Sequence, residues 1–431
     1  MLFRSAKGSV MPAAAGADGA GASGVSAPTS ASVAAPTSAS ASIATPAKDP
    51  GGLILTVALV WFSTHVGGGF ASGASHYSYF INYGFWSLIL APLSLAAIAF
   101  VYWWGWRHAA IAKTYDYRTF NDSFYGKYAP VMSNLYEVLI VFVVIIGCGV
   151  AFATGSSLIA ELTGMPYLAA SAIIGAIIFV VCIFGTNVVR RASAVLSALM
   201  IGALLLIYVP AIATHAPELA STLADMRAQA STAGFAGFAA ALGGAAMYAV
   251  YQASDVAIYV QHVRPLHDSR SVGKALFISY FINLAFFALT LFGLLTVSGT
   301  PELAATSVPL LAVIDGLPGA PALKIAATAL ISVACISTAV TFISGMVKRL
   351  CVRFEGRNVT EAAEDRNRPT RLGIVFALVL TLFCFGVAQF GLLPLVQKGY
   401  SLLAYMAIPV VTIPYIVNFI WTKVRRKGDA R

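Results

Sequence analysis

The chain has 431 residues, of which 59% are hydrophobic and 10% are charged, and its mean hydropathy is +0.82. A soluble domain carries about 25% charged residues, so the composition excludes a soluble protein and predicts a chain that crosses a membrane many times. The net charge of +10 could indicate a nucleic-acid-binding protein, but the distribution of the basic residues explains it differently.

The first 50 residues differ from the rest of the chain. They consist mainly of Ala, Ser, Gly, Thr and Pro and contain almost no large apolar side chain. Such a segment cannot bury enough apolar surface to offset its ordering entropy, and it has no apolar region typical of a secretory signal. We therefore expect residues 1–50 to be a disordered tail that precedes a transmembrane domain over residues 51–422.

Apolar runs predict ten membrane spans, because a helix needs about 20 apolar residues to cross a bilayer. Numbered in chain order, spans 1 to 10 cover about residues 53–80, 84–104, 131–155, 167–187, 192–213, 234–260, 273–298, 322–347, 371–389 and 393–421.

The basic residues predict the orientation of these spans. With the N-terminus in the cytoplasm, 24 of the 27 Lys and Arg residues fall in cytoplasmic segments, and only Arg227, Lys324 and Lys398 fall outside. This is a strong positive-inside signal, and it places both termini, including a basic tail at 423–431, in the cytoplasm. The net charge then serves topology and contact with anionic lipid, so we expect the lipid bilayer as a partner and no nucleic acid.

Ten spans with both ends on one side suggest an inverted repeat. Two consecutive units of five spans must have opposite orientations, which is typical of secondary transporters. The units would cover about residues 53–213 and 234–421. Spans 1 and 6 would then correspond, and both are rich in glycine, at Val66–Gly73 and at Gly243 and Gly244.

The glycines predict breaks in both helices, because glycine destabilises a helix interior by about 1 kcal/mol relative to alanine. Irregular backbone at membrane depth is tolerated where it lines a cavity. An alternative is that the small residues only allow close packing of helices. If the helices are broken, the groups that would bind a small solute are Gly67, Gly68, Gly69, Phe70, Ser72, Gly243, Gly244 and Tyr248.

The break in span 1 predicts two kinds of ligand. Free N–H groups at the start of its second half suit an anion such as a carboxylate. Carbonyls freed at the end of its first half, with Ser63 and Val66 as candidates, suit a cation. Span 8 adds the oxygen atoms of Ala334, Ser337 and Thr338, and oxygen ligands are what a hard cation requires. Hydroxyls that only bond their own helix are the alternative interpretation.

Three ionisable residues lie within predicted spans and are candidates for coupling or gating. His65 lies beside the glycine run and could contact solute or a proton, or could simply be a packed side chain. Glu137 in span 3 and Asp255 in span 6 lie near basic loops. We expect Glu137 to pair with Lys127, and Asp255 with Arg264 or Arg270.

Two external segments have features of their own. Residues 300–318 are half apolar and are expected to form a lid over the outer vestibule, and residues 214–233 are expected to carry a short amphipathic helix from Pro217 to Ala230. The sequence has no GxSxG, HExxH or Walker A motif, so it predicts neither an enzyme nor a nucleotide-driven pump, and no cofactor other than a bound sodium ion.

These features resemble the leucine-transporter fold of the amino acid–polyamine–organocation superfamily, over about residues 53–421. Within it the chain is similar to the YkvI family of bacterial membrane proteins, whose first helix carries a Gly-Gly/Ala-Gly-Phe-Ala-Ser-Gly motif. Here that motif begins at Gly67 and ends at Gly73. The resemblance implies an all-α secondary transporter of the bacterial inner membrane, with ten helices of which helices 1 and 6 are broken.

The resemblance also implies a sodium site. In sodium-coupled relatives, two carbonyls of helix 1 and a carbonyl plus two hydroxyls of helix 8 bind sodium, and the matching positions are Ser63, Val66, Ala334, Ser337 and Thr338. In some proton-coupled relatives a lysine in helix 5 replaces this ion, and span 5 has no lysine. The leading hypothesis is therefore sodium-coupled transport of a small, amino-acid-like solute. The alternatives are proton coupling through His65, Glu137 or Asp255, and a membrane sensor or scaffold that moves nothing.

Overall fold

The computed structural model describes residues 49–184, 186–356, 359, 360 and 369–428, and the side chains of 185–197 and 425–428 fall outside this description. All regular elements in these ranges are helices. The predicted disordered tail, up to residue 48, and the end of the predicted basic tail lie outside the described residues.

The helices follow the order of the predicted spans. In chain order they are α1 Gly51–His65, α2 Gly68–Ala71, α3 Ala74–Tyr79, α4 Trp86–Ala112, α5 Tyr117–Tyr125, α6 Ala129–Thr163, α7 Tyr167–Phe184, α8 Thr186–Thr214, α9 Ala216–Ala253, α10 Ser269–Leu295, α11 Pro301–Ala305, α12 Pro309–Asp315, α13 Ala320–Phe354, α14 Arg371–Ala388, α15 Leu392–Pro394, α16 Tyr400–Ala407 and α17 Ile413–Gly428. Two π-helical turns join the last three of these helices.

Length and composition agree with a multi-span membrane protein. Eight helical segments of the described chain are long and apolar enough to cross a bilayer. Two shorter apolar helices, Gly51–His65 and Ala198–Thr214, stand where spans 1 and 5 were predicted. Span 1 is short because it is divided into α1, α2 and α3, so the helices are consistent with ten spans.

The packing of the helices supports the inverted repeat. Span 2 packs against span 6, and span 7 packs against span 1. Span 3 packs against span 4, and span 8 packs against span 9. If every span is exchanged with its counterpart five places along, the pair of spans 2 and 6 becomes the pair of spans 7 and 1, and the pair of spans 3 and 4 becomes the pair of spans 8 and 9. The large contacts of span 3 with span 8 and of span 2 with span 7 are unchanged by this exchange. Two equivalent five-helix units therefore build the core.

Both segments expected outside the membrane contain helices. The predicted helix before span 6 is confirmed as the first part of α9, which bends at Gly234, where φ is +55°. The half-apolar segment forms α11 and α12, and α12 is buried from Pro309 to Ile314. The carboxylate of Glu161, at the end of span 3, accepts hydrogen bonds from the Thr306 hydroxyl (2.6 Å) and from the N–H and hydroxyl of Ser307 (3.1 and 2.7 Å).

Candidate functional site

Helix 1 breaks at Val66 and Gly67, within the glycine run. Val66 has φ −81° and ψ 60°, and the N–H of Gly67 donates to the carbonyl of His65 at 2.9 Å. These values describe an inverse γ-turn, a three-residue turn that ends a helix sharply. Gly67 is extended, and helix resumes at Gly68. The predicted break in helix 1 is therefore confirmed.

The turn frees the two carbonyls that the sequence named as cation ligands. In a continuous helix the carbonyl of Ser63 would accept from Gly67 and that of Val66 from Phe70. Instead the Gly67 N–H donates to His65, and the Phe70 N–H donates to the carbonyl of Gly67 at 3.1 Å. Both carbonyl oxygens are thus available to a ligand.

The three glycines of the break have different surroundings. No atom lies within 4 Å of the position that a Cβ of Gly67 would take. A Cβ on Gly68 would lie 2.8 Å from Oγ1 of Thr154 and 3.2 Å from Sγ of Cys335. Gly67 therefore faces open space, whereas Gly68 allows the close approach of helix 1 to spans 3 and 8.

Amide groups are also free at the start of the second half. Within the described chain, the N–H groups of Gly68 and Gly69 have no hydrogen-bond acceptor. Unpaired backbone donors at a helix start attract anions.

Ser72 contacts α12 and lies outside the cavity lining. Its carbonyl accepts a hydrogen bond from the N–H of Leu310 in α12 at 3.0 Å, and its side chain is buried. The next residue, Gly73, has φ +81°, a left-handed conformation that favours glycine. The end of the motif therefore shapes the contact between helix 1 and α12.

The break in helix 6 is not where the sequence placed it. α9 continues through Gly243 and Gly244 and ends at Ala253, about ten residues later, so that prediction was wrong. A Cβ on Gly244 would lie 2.9 Å from the carbonyl oxygen of Tyr79 and 2.6 Å from the ring of Tyr83. Gly244 is therefore a packing glycine that lets α9 approach the outer half of helix 1, as the alternative interpretation had it.

Side chains from other helices hold the actual break, which begins at Ser254. The hydroxyl of Tyr136 donates to the carbonyl of Ser254 and accepts from the N–H of Ala257 at 3.2 Å. The indole N–H of Trp106 donates to the carbonyl of Val256 at 3.0 Å. These bonds satisfy backbone groups that a continuous helix would have paired itself.

A cavity of about 300 Å³ lies where the two breaks meet. Residues from spans 1, 3, 5, 6, 8 and 10 line it. Most of the predicted site residues are among them: Ser63, His65, Val66, Gly67, Gly68, Gly69, Phe70, Asp255, Ala334, Ser337 and Thr338. Five predicted residues do not line it: Ser72, Glu137, Gly243, Gly244 and Tyr248.

The helix 8 residues present oxygen atoms to this cavity. The hydroxyl of Thr338 donates to the carbonyl of Ala334 at 3.0 Å, and that of Thr341 donates to the carbonyl of Ser337 at 2.8 Å. A hydroxyl that donates its proton keeps oxygen lone pairs for another partner. Ser63 and Val66, whose carbonyls are free, line the same cavity as these residues, and oxygen atoms are the ligands that a hard cation prefers.

His65 links helix 1 to helices 6 and 7. Its Nδ1–H donates to Oδ1 of Asn283 at 2.6 Å, and its Nε2 accepts from the hydroxyl of Tyr248 at 2.5 Å. The amide nitrogen of Asn283 donates to the carbonyl of Ser279 at 2.8 Å, which orients the amide oxygen toward the imidazole. The side chains of His65, Asn283 and Tyr248 are all buried. Tyr248 does not line the cavity itself and is connected to it by its hydrogen bond to His65.

The two carboxylates have different partners from those expected. Glu137 pairs with Arg118 and Arg349, both at 3.7 Å, and not with Lys127, because α5 and the end of α13 bring their guanidinium groups closer. Asp255 has no ion pair among the described residues and accepts only from the Ser254 hydroxyl at 3.4 Å. The predicted pairing of Asp255 with Arg264 or Arg270 was therefore wrong.

Sequence reasoning missed several residues that shape the site. Asn283 was detectable as a lone amide within an apolar span, which is costly unless it is hydrogen-bonded. Tyr136, Trp106 and Tyr400 gave no comparable signal, because aromatic residues are common in membrane helices.

Comparison with known proteins identifies the fold. No family model matches the chain, and no curated protein is similar in sequence. Among solved structures, MhsT in complex with L-phenylalanine is similar with a TM-score of 0.56 and 13% identity, over 86% of this chain and 88% of that one. The manganese transporter of Eremococcus coleocola, in two mutant forms, is similar with TM-scores of 0.53 and 0.52 and identities of 14% and 13%, over 86% of this chain and 82% of that one.

Identities at this level establish the architecture alone. The all-helical described chain, the broken helices and these neighbours agree. The protein is a multi-span membrane protein with the leucine-transporter fold, built as a five-plus-five inverted repeat with broken helices 1 and 6.

Proposed function

We propose that the protein is a secondary transporter of the bacterial inner membrane, with cytoplasmic termini, that moves a small amino-acid-like solute by alternating access coupled to sodium. The observation that supports it most is the cavity at the meeting point of the two helix breaks. Irregular backbone at membrane depth is tolerated where it binds a ligand, and paired half-helices at mid-membrane are where transporters of this type hold their substrates.

The free amides favour an organic solute with a carboxylate. The N–H groups of Gly68 and Gly69 suit an anionic group, and a cavity of about 300 Å³ is at the small end of ligand pockets. MhsT was solved in complex with L-phenylalanine, whereas the other two structures named above are of one manganese transporter. In the described part of this chain, no three His, Cys, Asp or Glu side chains come together to hold a metal ion, so an organic solute is the better fit.

The oxygen donor set supports sodium as the coupling ion. Carbonyls of Ser63 and Val66 and hydroxyls of Ser337 and Thr338 line the cavity from two helices that must separate if the inner half of helix 1 moves. A cation that binds both helices would favour the state in which they are close, and such differential binding is what coupling requires.

Uptake into proteoliposomes tests this proposal. A panel of amino acids is offered with and without an inward sodium gradient, and we expect at least one to accumulate only with the gradient. Replacing Ser337 and Thr338 by alanine should raise the sodium concentration for half-maximal uptake by about tenfold, the equivalent of one charge-assisted contact.

Ser344→Ala is the matched control. Ser344 lies on the same helix, donates to the carbonyl of Val340 at 2.6 Å and does not line the cavity, so its loss should leave the sodium requirement unchanged. An unchanged requirement in the double variant would reject the sodium site, and a panel in which no solute responds to sodium would reject the coupling.

Proton coupling is the second candidate, and His65 favours it. An imidazole that lines the cavity and bonds both Tyr248 and Asn283 would change these bonds on protonation. Uptake that follows a pH gradient without sodium would select this mechanism.

A further inference from the structure

Asp255 is an isolated charge in the cavity wall. Among the described lining residues it is the one Asp, Glu, Lys or Arg. Its side chain is partly buried and accepts a single long hydrogen bond from Ser254 at 3.4 Å. An ionised carboxylate within a membrane span is costly unless it is paired, so Asp255 favours a positive partner or a proton.

The backbone around Asp255 is held in place. The residues on either side of it, Ser254 and Val256, are bonded through their carbonyls to Tyr136 and Trp106. Because these anchors come from spans 3 and 2, the helix 6 break presents the carboxylate from a fixed position. Such preorganisation reduces the entropy that a ligand loses when it binds.

Tyrosine rings line the same cavity as Asp255. Tyr251 and Tyr400 stack with ring centroids 4.5 Å apart, and Tyr259 also lines the cavity. A ring carbon of Tyr400 lies 3.4 Å from the position that a Cβ on Gly69 would take. The cavity therefore offers aromatic rings together with one carboxylate.

This combination points to an organic cation. Ring faces attract ammonium groups, and a carboxylate beside them adds a charged hydrogen-bond acceptor. A hard inorganic cation instead prefers several oxygen ligands, which the cavity offers between helices 1 and 8.

We propose that Asp255 binds the ammonium group of the solute. This assignment rests on the proposed function, since it gives the substrate class of that cavity. It makes the solute an organic ammonium compound whose charged group is recognised at the helix 6 break.

The test is ligand binding, measured from the shift in unfolding temperature of the full chain in detergent with sodium present. Each amino acid that stabilises the protein is compared with its deaminated acid, for example L-phenylalanine with phenylpropionate. We expect the wild type to bind the amino acid at least tenfold more tightly. Asp255→Asn should weaken amino acid binding by about tenfold to a hundredfold and leave the deaminated acid unchanged.

Two further variants complete the design. Glu218→Gln removes an exposed carboxylate that does not line the cavity and should bind like the wild type. Asp255→Glu keeps the charge and should retain the preference for the amino compound, which separates loss of charge from poor folding of the amide variant.

Several outcomes would overturn the assignment. These are equal affinity of the wild type for both members of a pair, unchanged amino acid affinity in Asp255→Asn, and stabilisation by no amino acid at all. Loss of sodium stabilisation in Asp255→Asn without any solute would make the carboxylate an ion ligand instead. The binding assay does not depend on transport, so the two proposals can fail separately. Binding that depends on the amino group in a protein without uptake would support the role of Asp255 and reject transport. Sodium-driven uptake of a solute without an amino group would support transport and reject the role of Asp255.

Discussion

The breaks in helices 1 and 6 occupy corresponding places in the two repeats but have different causes. In helix 1 the break follows from the local chain, where an inverse γ-turn at Val66 leads into three successive glycines. In helix 6 the residues from Ser254 to Tyr259 include no glycine, and the turn is held by Tyr136 and Trp106 from other helices.

The local sequence therefore determines the break in helix 1, whereas side chains of neighbouring helices determine the break in helix 6. A local break exists as soon as the helix forms, whereas a break held by tertiary bonds depends on the packing of spans 2 and 3. Substitutions at Gly68, at Gly243 and Gly244, and at Tyr136 distinguish a local break from one that tertiary bonds hold.

The largest effect is expected at Gly68. In Gly68→Ala the new methyl group would meet Thr154 and Cys335, and overpacking of this kind destabilises by about 1–3 kcal/mol. We expect a lower unfolding temperature and loss of uptake. Gly67→Ala is the matched control, because its methyl group has open space, and it should unfold like the wild type. Equal destabilisation by both substitutions would show that flexibility, and not close packing, is what the glycines provide.

Gly243 and Gly244 test whether helix 6 needs glycine for a break. Gly244→Ala should destabilise by about 1–3 kcal/mol, because its methyl group would press on the backbone of Tyr79. Gly243→Ala has open space within a continuous helix and should stabilise by about 1 kcal/mol. Thermal unfolding of the two variants measures this contrast. If both variants lost uptake to a similar degree at unchanged stability, these glycines would be needed for a break in helix 6 after all.

Tyr136→Phe is expected to weaken solute binding without abolishing uptake. Removing the hydroxyl leaves the Ser254 carbonyl and the Ala257 N–H without their partner, which costs about 1–3 kcal/mol, and the loosened break should weaken solute binding. Tyr125→Phe is the control, because that hydroxyl also donates to a backbone carbonyl, of Val410 at 2.7 Å, but away from the break. Both variants should lose stability, and only Tyr136→Phe should change solute affinity in the same unfolding assay.

The same distinction between local and tertiary causes decides which features of the structure the sequence predicts. The spans and the break at Val66 and Gly67 could be predicted, because hydropathy and glycine act over a few neighbouring residues. The grouping of Ser63 with Ser337 and Thr338 joins distant helices, so it came from the resemblance to sodium-coupled relatives. The break at Ser254 could not, because its cause lies more than a hundred residues away in Tyr136. Glycine alone cannot separate a break from a close contact, and Gly244 shows the second case.

The ion pairs were mispredicted for a related reason. Glu137 was assigned to the nearest lysine along the chain, but charged side chains pair with whatever the fold brings close, here Arg118 and Arg349. Asp255 was assigned to Arg264 or Arg270, but among the described residues no basic side chain forms an ion pair with it. Its carboxylate is therefore open to a positively charged ligand.

The contrast between Gly67 and Gly68 also bears on how proteins of this kind can diverge. A side chain at position 68 meets Thr154 and Cys335 whatever the cargo, so a relative with alanine there, which the Gly-Gly/Ala-Gly motif allows, needs a smaller side chain at one of the facing positions. No neighbouring side chain restricts position 67, so a glycine there serves the backbone turn or the cargo and not the fit between helices. A substitution at position 68 should therefore accompany changes in spans 3 and 8, whereas a substitution at position 67 should accompany a change of cargo.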